Sequence, residues 1–282
     1  MPEAKDLRVS CLQWDIRKGQ VAHNLRVATE LIEEASDGGT RLCVLPELWS
    51  SSFMGSDTAS VQGEVEDAHE EIRQLSRDLN VCIVGSGNEL LADGKLYNRA
   101  HVYDKGELLG SYRKIHLFTP LGEERWFKSG SDALILDTEF ARLGVAICYD
   151  LRFPELIRHL YQQGAEIIVI PAQWPDVRAA HWRLLNRARA VENQCFVAAS
   201  NRCGLDPSLV SGKDVKYPGN SILIDPTGEV LAQGNGEEGV VSADFELRQV
   251  QLIRRAIPVT KDRRDDIYAE LNQKKSRLDP EA

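Results

Sequence analysis

Short apolar runs alternate with helical patterns along this chain, and that alternation restricts it to an α/β fold containing parallel strands. Arg41-Leu42-Cys43-Val44-Leu45 and Val81-Cys82-Ile83-Val84-Gly85 are two such runs, and residues 143–148, 166–170 and 195–200 are three more. Each reads as a buried strand. Between residues 7–14, also a strand, and the run at 41–45 lies a helix over residues 21–35. Its Val21, Leu25, Ala28, Leu31, Ile32 and Ala35 share one face, and Gly38-Gly39 stops it. A strand–helix–strand unit this short implies adjacent parallel strands under a covering helix.

The pattern repeats. Helices are predicted over residues 67–79 (Ile72, Leu75 and Leu79 on one side), 153–163 and 246–255. Another is predicted over 177–193, with Ala180, Leu184, Ala188 and Val191 three to four residues apart. Residues 96–103 and 108–115 flank the turn Lys105-Gly106 and form a hairpin, so the sheet is mixed. Strands are also predicted at 134–137 and 240–243. Two more, at 221–224 and 229–231, flank the turn Asp225-Pro226-Thr227-Gly228. Residues 116–133 are loop-rich, 201–218 form a polar excursion, and Pro171 is expected to close the strand before it. Both halves run strand–helix–strand and then hairpin. The expectation is two mixed sheets packed face to face with helices outside. There is no linker or composition break, so residues 1–282 read as one domain, with a charged C-terminal tail from about residue 258.

A net charge of −9, with no basic run interleaved with aromatics, argues against a nucleic-acid partner. No apolar run is long enough to span a membrane, and the polar N-terminus is not a signal peptide. The six cysteines at 11, 43, 82, 148, 195 and 203 include no C-x-x-C pair, and four lie in apolar runs. That predicts reduced thiols in a cytoplasmic protein. The six histidines show no metal-binding spacing, and Gly85-Ser86-Gly87, read as a strand-end turn, lacks the rest of a dinucleotide fingerprint. No metal or cofactor is expected.

Three polar residues stand at or just past strand ends: Glu47, Lys114 and Cys148. Taken singly each has a plain reading, as a turn carboxylate, a surface lysine and a core cysteine. Together they hold the parts for acyl transfer from an amide. A thiol can attack, a carboxylate with a pKa raised by burial can take its proton, and an ammonium can stabilise the oxyanion. The turn after Cys148, followed by a helix start, is expected to stabilise a thiolate.

Pro46-Glu47-Leu48, Arg113-Lys114-Ile115-His116-Leu117-Phe118 and Cys148-Tyr149-Asp150-Leu151-Arg152-Phe153-Pro154-Glu155 resemble, in order and spacing, the three signatures of the nitrilase (carbon–nitrogen hydrolase) superfamily. The segments 171–174, 187–193 and 219–228 fit as well, and the resemblance spans about residues 7–260. It implies a four-layer α-β-β-α sandwich. In it Glu47 is the general base, Lys114 stabilises the tetrahedral intermediate, and Cys148 is the nucleophile. The backbone N–H of Tyr149 completes the oxyanion hole. A second, substrate-orienting glutamate is implied at Glu123, one residue before the alternative Glu124. Asp150 and Arg152 are expected to pair and hold the turn rigid, and His116 to be a packed histidine.

Within the superfamily the chain is most similar to the ω-amidase and deaminated-glutathione amidase branch. That implies hydrolysis of the terminal amide of a short dicarboxylate monoamide through a thioester, with release of ammonia. Phe53, Trp126, Gln173, Trp174 and Arg178 are the candidate substrate-binding residues, and the segment with Lys213, Asp214 and Lys216 is a candidate lid. The alternatives are an N-carbamoyl amino acid hydrolase and, in another class, a catalytically idle binding or regulatory module; the intact Glu47, Lys114 and Cys148 speak against the last. A third role, redox reporting by a low-pKa Cys148, is a liability more than a function. The resemblance also implies a homodimer formed through the helix after Cys148 and the helix at 177–193, with a tail that crosses to the partner.

Overall fold

The computed structural model describes residues 6–207 and 212–273. Its first half forms β1 (Leu7–Gln13), α1 (Val21–Asp37), β2 (Leu42–Val44), α2 (Gln62–Asp78), β3 (Cys82–Leu90), β4 (Leu96–Asp104) and β5 (Glu107–Arg113). Next come β6 (Leu134–Asp137), β7 (Arg142–Val145), α3 (Pro154–Gln162), β8 (Ile167–Ala172), α4 (Ala179–Asn193) and β9 (Phe196–Asn201). The chain continues through β10 (Cys203–Pro207), β11 (Asp214–Pro218), β12 (Ile222–Ile224), β13 (Val230–Gln233) and β14 (Gly239–Phe245). It then forms α5 (Arg248–Ala256), α6 (Val259–Asp262) and α7 (Asp265–Asn272).

Two six-stranded mixed sheets result, in the orders β14-β1-β2-β3-β4-β5 and β13-β12-β9-β8-β7-β6. In each, three parallel strands are linked by two helices: β1-β2-β3 through α1 and α2, and β7-β8-β9 through α3 and α4. Antiparallel strands flank both sets. The strand period places alternate side chains on opposite faces. Leu42, Val44, Cys82 and Val84 share one core with Val145 and Ile170 of the second sheet. Cys43, Leu45 and Ile83 pack instead with Val27, Leu31, Ile32 and Ile72 of the covering helices. Each such aliphatic side chain contributes about 2 kcal/mol by leaving water.

The structure departs from the sequence reading in several places. Gly85-Ser86-Gly87 is not a turn; β3 runs on to Leu90, because residues 83–90 pair with β4. Gly87 is required there, since a Cβ would stand 2.0 Å from His69 Nε2. Pro171 does not close its strand, which continues to Ala172 beside Ser200 and Asn201. On α4 the buried face carries Trp182, Asn186, Arg189, Ala190 and Asn193, whereas Ala180, Leu184 and Val191 are exposed. The apolar stripe read from the sequence is therefore the outer face. Polar side chains occupy the inner one because Arg189 donates to the Leu151 carbonyl and Trp182 to the Asn220 carbonyl. The excursion at 201–218 contains an antiparallel ribbon, β10 with β11; its middle, residues 208–211, lies outside the described residues. The tail begins against its own chain, where Gln194 Nε2 donates to the Ile257 carbonyl at 2.7 Å and Tyr161 bonds with Thr260. Residues 274–282 lie outside the described residues.

Candidate active site

Strand ends from both sheets converge on one cluster. Glu47 lies three residues past β2, Lys114 directly follows β5, and Cys148 lies three residues past β7. The Glu47 N–H bonds to the Ala172 carbonyl of β8, which joins the two sheets at this point. Lys114 Nζ donates to Glu47 Oε1 at 2.7 Å and to Glu123 Oε2 and Oε1 at 2.8 and 3.0 Å. Glu47 Oε1 also accepts from Asn98 Nδ2 at 2.8 Å, and Oε2 from the Gln173 N–H at 3.0 Å. Glu123 Oε2 accepts from the Phe118 N–H at 2.6 Å. The Cys148 thiol lines the same cavity as Glu47, Lys114 and Glu123. All four side chains are buried, whereas Glu124 is exposed, so Glu123 is the glutamate at the site.

The electrostatics differ from the expectation of a stabilised thiolate. Burial pushes the Cys148 thiol well above its ordinary value; Glu47 adds to the rise, and Lys114 opposes it. The helix α3 begins only at Pro154, after the turn Cys148–Arg152. The resting group is a thiol, which removes the low-pKa basis for a redox role. Burial disfavours the Lys114 ammonium, but Glu123 and then Glu47 overcome that and hold its pKa above the ordinary value. Burial raises Glu123, as does Glu47, against the pull of Lys114.

The turn bearing Cys148 is a strained one. Cys148 has φ +46°, in the left-handed region that non-glycine residues avoid, and it opens a 3-10 turn over Cys148–Arg152. The N–H groups that open such a turn, that of Tyr149 among them, have no carbonyl behind them within it. Asp150 does not pair with Arg152. Buried, it accepts from the Ile147 N–H at 2.9 Å, the Tyr112 hydroxyl at 2.7 Å and the His116 N–H at 3.0 Å, and it lies 2.7 Å from His116 Nδ1. His116 also stacks on Phe153. Arg152 instead meets His181 and lies over the Trp174 ring, 4.8 Å from its centroid.

Two cavities meet at Cys148. The larger contains Glu47, Lys114, Glu123, Phe53, Trp126 and Gln173 and extends to the ribbon at Asp206, Val215 and Tyr217. The smaller is walled by Phe118, Tyr149, Arg152, Gln173, Trp174 and Arg178. The five candidate wall residues thus divide between two cavities. Gln173 is a brace more than a free contact, since its Oε1 is taken by Ser52 and Arg202 and its Nε2 by the Glu47 carbonyl. Trp174 Nε1 is bonded to the Arg178 carbonyl. The ribbon does wall the site, but through Asp206, Pro207, Val215 and Tyr217; Asp214 and Lys216 do not line the cavity, because alternate residues of a strand face opposite ways, and Lys213, which precedes β11, is not among the lining residues either.

Asn98, Tyr112 and Asp206 were not singled out in the sequence. The legible signal is Asn98, a polar residue in the inward set of β4 with Leu96, Ala100 and Val102.

A four-layer sandwich with this buried cluster is built for hydrolysis of carbon–nitrogen bonds outside peptides. The chain belongs to the carbon–nitrogen hydrolase family, whose sequence profile matches residues 8–255. It is 37% identical over 265 residues to the 2-oxoglutaramate amidase of Bacillus subtilis, covering 92% of this chain and 98% of that one. It is 32% identical over 256 residues to ω-amidase NIT2 of Homo sapiens, covering 87% and 91%. Among solved structures, it is similar to a variant of the amidase from Nesterenkonia sp. AN1 that carries the acetamide moiety of fluoroacetamide covalently at its active-site cysteine. The TM-score is 0.82 and the identity 26%, over 95% of this chain and 98% of that one.

Proposed function

We propose that the chain hydrolyses the terminal amide of a short dicarboxylate monoamide through a thioester on Cys148. Glu47 takes the thiol proton as Sγ attacks the amide carbon. The oxyanion is held by the Lys114 ammonium and the Tyr149 N–H. Glu47 returns the proton to the nitrogen, the C–N bond breaks and ammonia leaves. Water then attacks the thioester with Glu47 again as base, and the thiol is restored. Glu123 keeps Lys114 charged and in place and orients the amide N–H.

The observation that carries the substrate class is the smaller cavity. Arg152 and Arg178 flank it beside Cys148, held over the rings of Trp174 and Phe118, and neither pairs with a carboxylate among the described residues. Two guanidinium groups lining a cavity that also contains the nucleophile suit a distal carboxylate. The names of the relatives, 2-oxoglutaramate amidase and ω-amidase, agree with it. The test is a panel assay of succinamate, 2-oxoglutaramate and N-carbamoyl amino acids. Turnover of the monoamides supports the reading, and turnover of the carbamoyl compounds alone overturns it.

The chain is read as one cytoplasmic domain that forms a homodimer. The exposed Leu184 and Val191 on α4 support the last point. Sedimentation of Leu184→Glu is expected to show a monomer, and an unchanged oligomer would rule this face out. All six cysteines are unpaired and buried, in keeping with a reducing compartment.

A further inference from the structure

The two cavities at Cys148 hold different chemistry. The smaller has Arg152 and Arg178 and no carboxylate; the larger has Glu47, Lys114 and Glu123. In the proposed reaction both the leaving nitrogen and the incoming nucleophile must meet Glu47, so both belong to the larger cavity. Besides the carboxylates, this cavity is lined by the apolar side chains of Phe53, Trp126, Val215 and Tyr217 and by Asp206.

Asp206 is 5% exposed, and only one of its oxygens is satisfied. Oδ2 accepts from Arg202 Nη1 at 2.9 Å and from Ser52 Oγ. Oδ1 is buried without a hydrogen-bond partner. Arg202 does not cover the remaining charge alone, since its Nη2 is committed to Asp15 at 2.9 Å and to the Ile16 carbonyl at 2.6 Å. An orphaned buried carboxylate oxygen on a residue that lines a cavity with apolar walls calls for a charged donor from outside the chain.

We propose that this part of the cavity is an amine subsite, which takes a primary amine bearing a second, protonated amino group on a short apolar stem. The far ammonium donates to Asp206 Oδ1, and the near nitrogen lies at the thioester. The inference rests on the thioester reading above. An amine placed there attacks the thioester carbon. The C–N bond forms, the C–S bond breaks, Glu47 takes the proton from the amine, and that proton restores the Cys148 thiol. In the reverse direction the same subsite accepts an N-substituted amide and releases the diamine.

The test uses the full chain and the amide of the panel that is hydrolysed fastest. It is turned over at pH 9 with 1,3-diaminopropane or n-propylamine, and the N-substituted amide and free acid are quantified by mass spectrometry. Both products come from one thioester, so their ratio does not depend on how much enzyme is folded. The readout is the diamine-to-propylamine capture ratio in the wild type against that in Asp206→Asn, in which differences in amine basicity cancel. In that variant Ser52 and Arg202 hold the amide oxygen, and the NH₂ takes the place of Oδ1, donor against donor. The ratio is expected to fall at least about tenfold, the scale of one charge-assisted hydrogen bond. A ratio unchanged within about twofold, or hydrolysis with no capture of either amine, overturns the inference alone. No hydrolysis of any amide overturns the thioester reading and this inference with it.

Discussion

The Tyr112 hydroxyl donates to Asp150 Oδ2 at 2.7 Å, and this bond fastens the turn bearing Cys148 to the strand that leads to Lys114. Nucleophile and ammonium come from different sheets, so their separation depends on such cross-links. The same carboxylate receives the His116 N–H and the Ile147 N–H, one from each side of the junction.

Tyr112→Phe removes one bond of that junction and is expected to lower kcat about tenfold with little change in KM. Asp150→Asn turns an NH₂ donor toward existing donors and is expected to lower stability by about 1–3 kcal/mol as well. Steady-state kinetics and thermal melts check both. A Tyr112→Phe enzyme with wild-type kcat would show that the bond does not position the site.

Arg178→Leu separates the substrate tail from the chemistry. KM for succinamate is expected to rise about tenfold or more, while KM for propionamide, which lacks the carboxylate, stays within about twofold. Equal effects on both amides would remove the arginine-lined cavity as the carboxylate site.

The raised pKa of Cys148 fixes the sign of its reactivity toward pH. Thiolate is the reactive form, and burial, then Glu47, disfavour it, so the fraction ionised at pH 7 lies below about one in a hundred. Alkylation by iodoacetamide is expected to be slow at pH 7 and to climb about tenfold per pH unit through pH 9 without a plateau. A plateau below pH 8 would contradict the neutral resting thiol.

The fold was legible because its signal is local. Apolar runs such as 81–84 and helical faces such as Val21, Leu25 and Ala28 carry their period in the sequence, and the repeated order gave the two sheets. The stripe on α4 misled because period alone does not say which apolar face turns inward, and here polar contacts from Arg189 and Trp182 hold the inner side. The trio Glu47, Lys114 and Cys148 was legible from strand-end positions and from the motifs around them. The acidity of the thiol was not, since it depends on burial and on a carboxylate that arrives from 101 positions earlier in the chain. Asp206 was hidden for a like reason. Its partner Ser52 lies 154 residues away, and nothing in Cys203–Pro207 announces an unsatisfied oxygen.

The central claim is the acyl-enzyme on Cys148, and intact-mass spectrometry of the protein quenched in acid during turnover of succinamate tests it most directly. The wild type is expected to carry one adduct with the mass of the free acid less water, mapped to the peptide containing Cys148, and Cys148→Ala to carry none and to lose hydrolysis while keeping its melting temperature. Undiminished hydrolysis by Cys148→Ala, or an adduct that maps to another residue, would contradict the account.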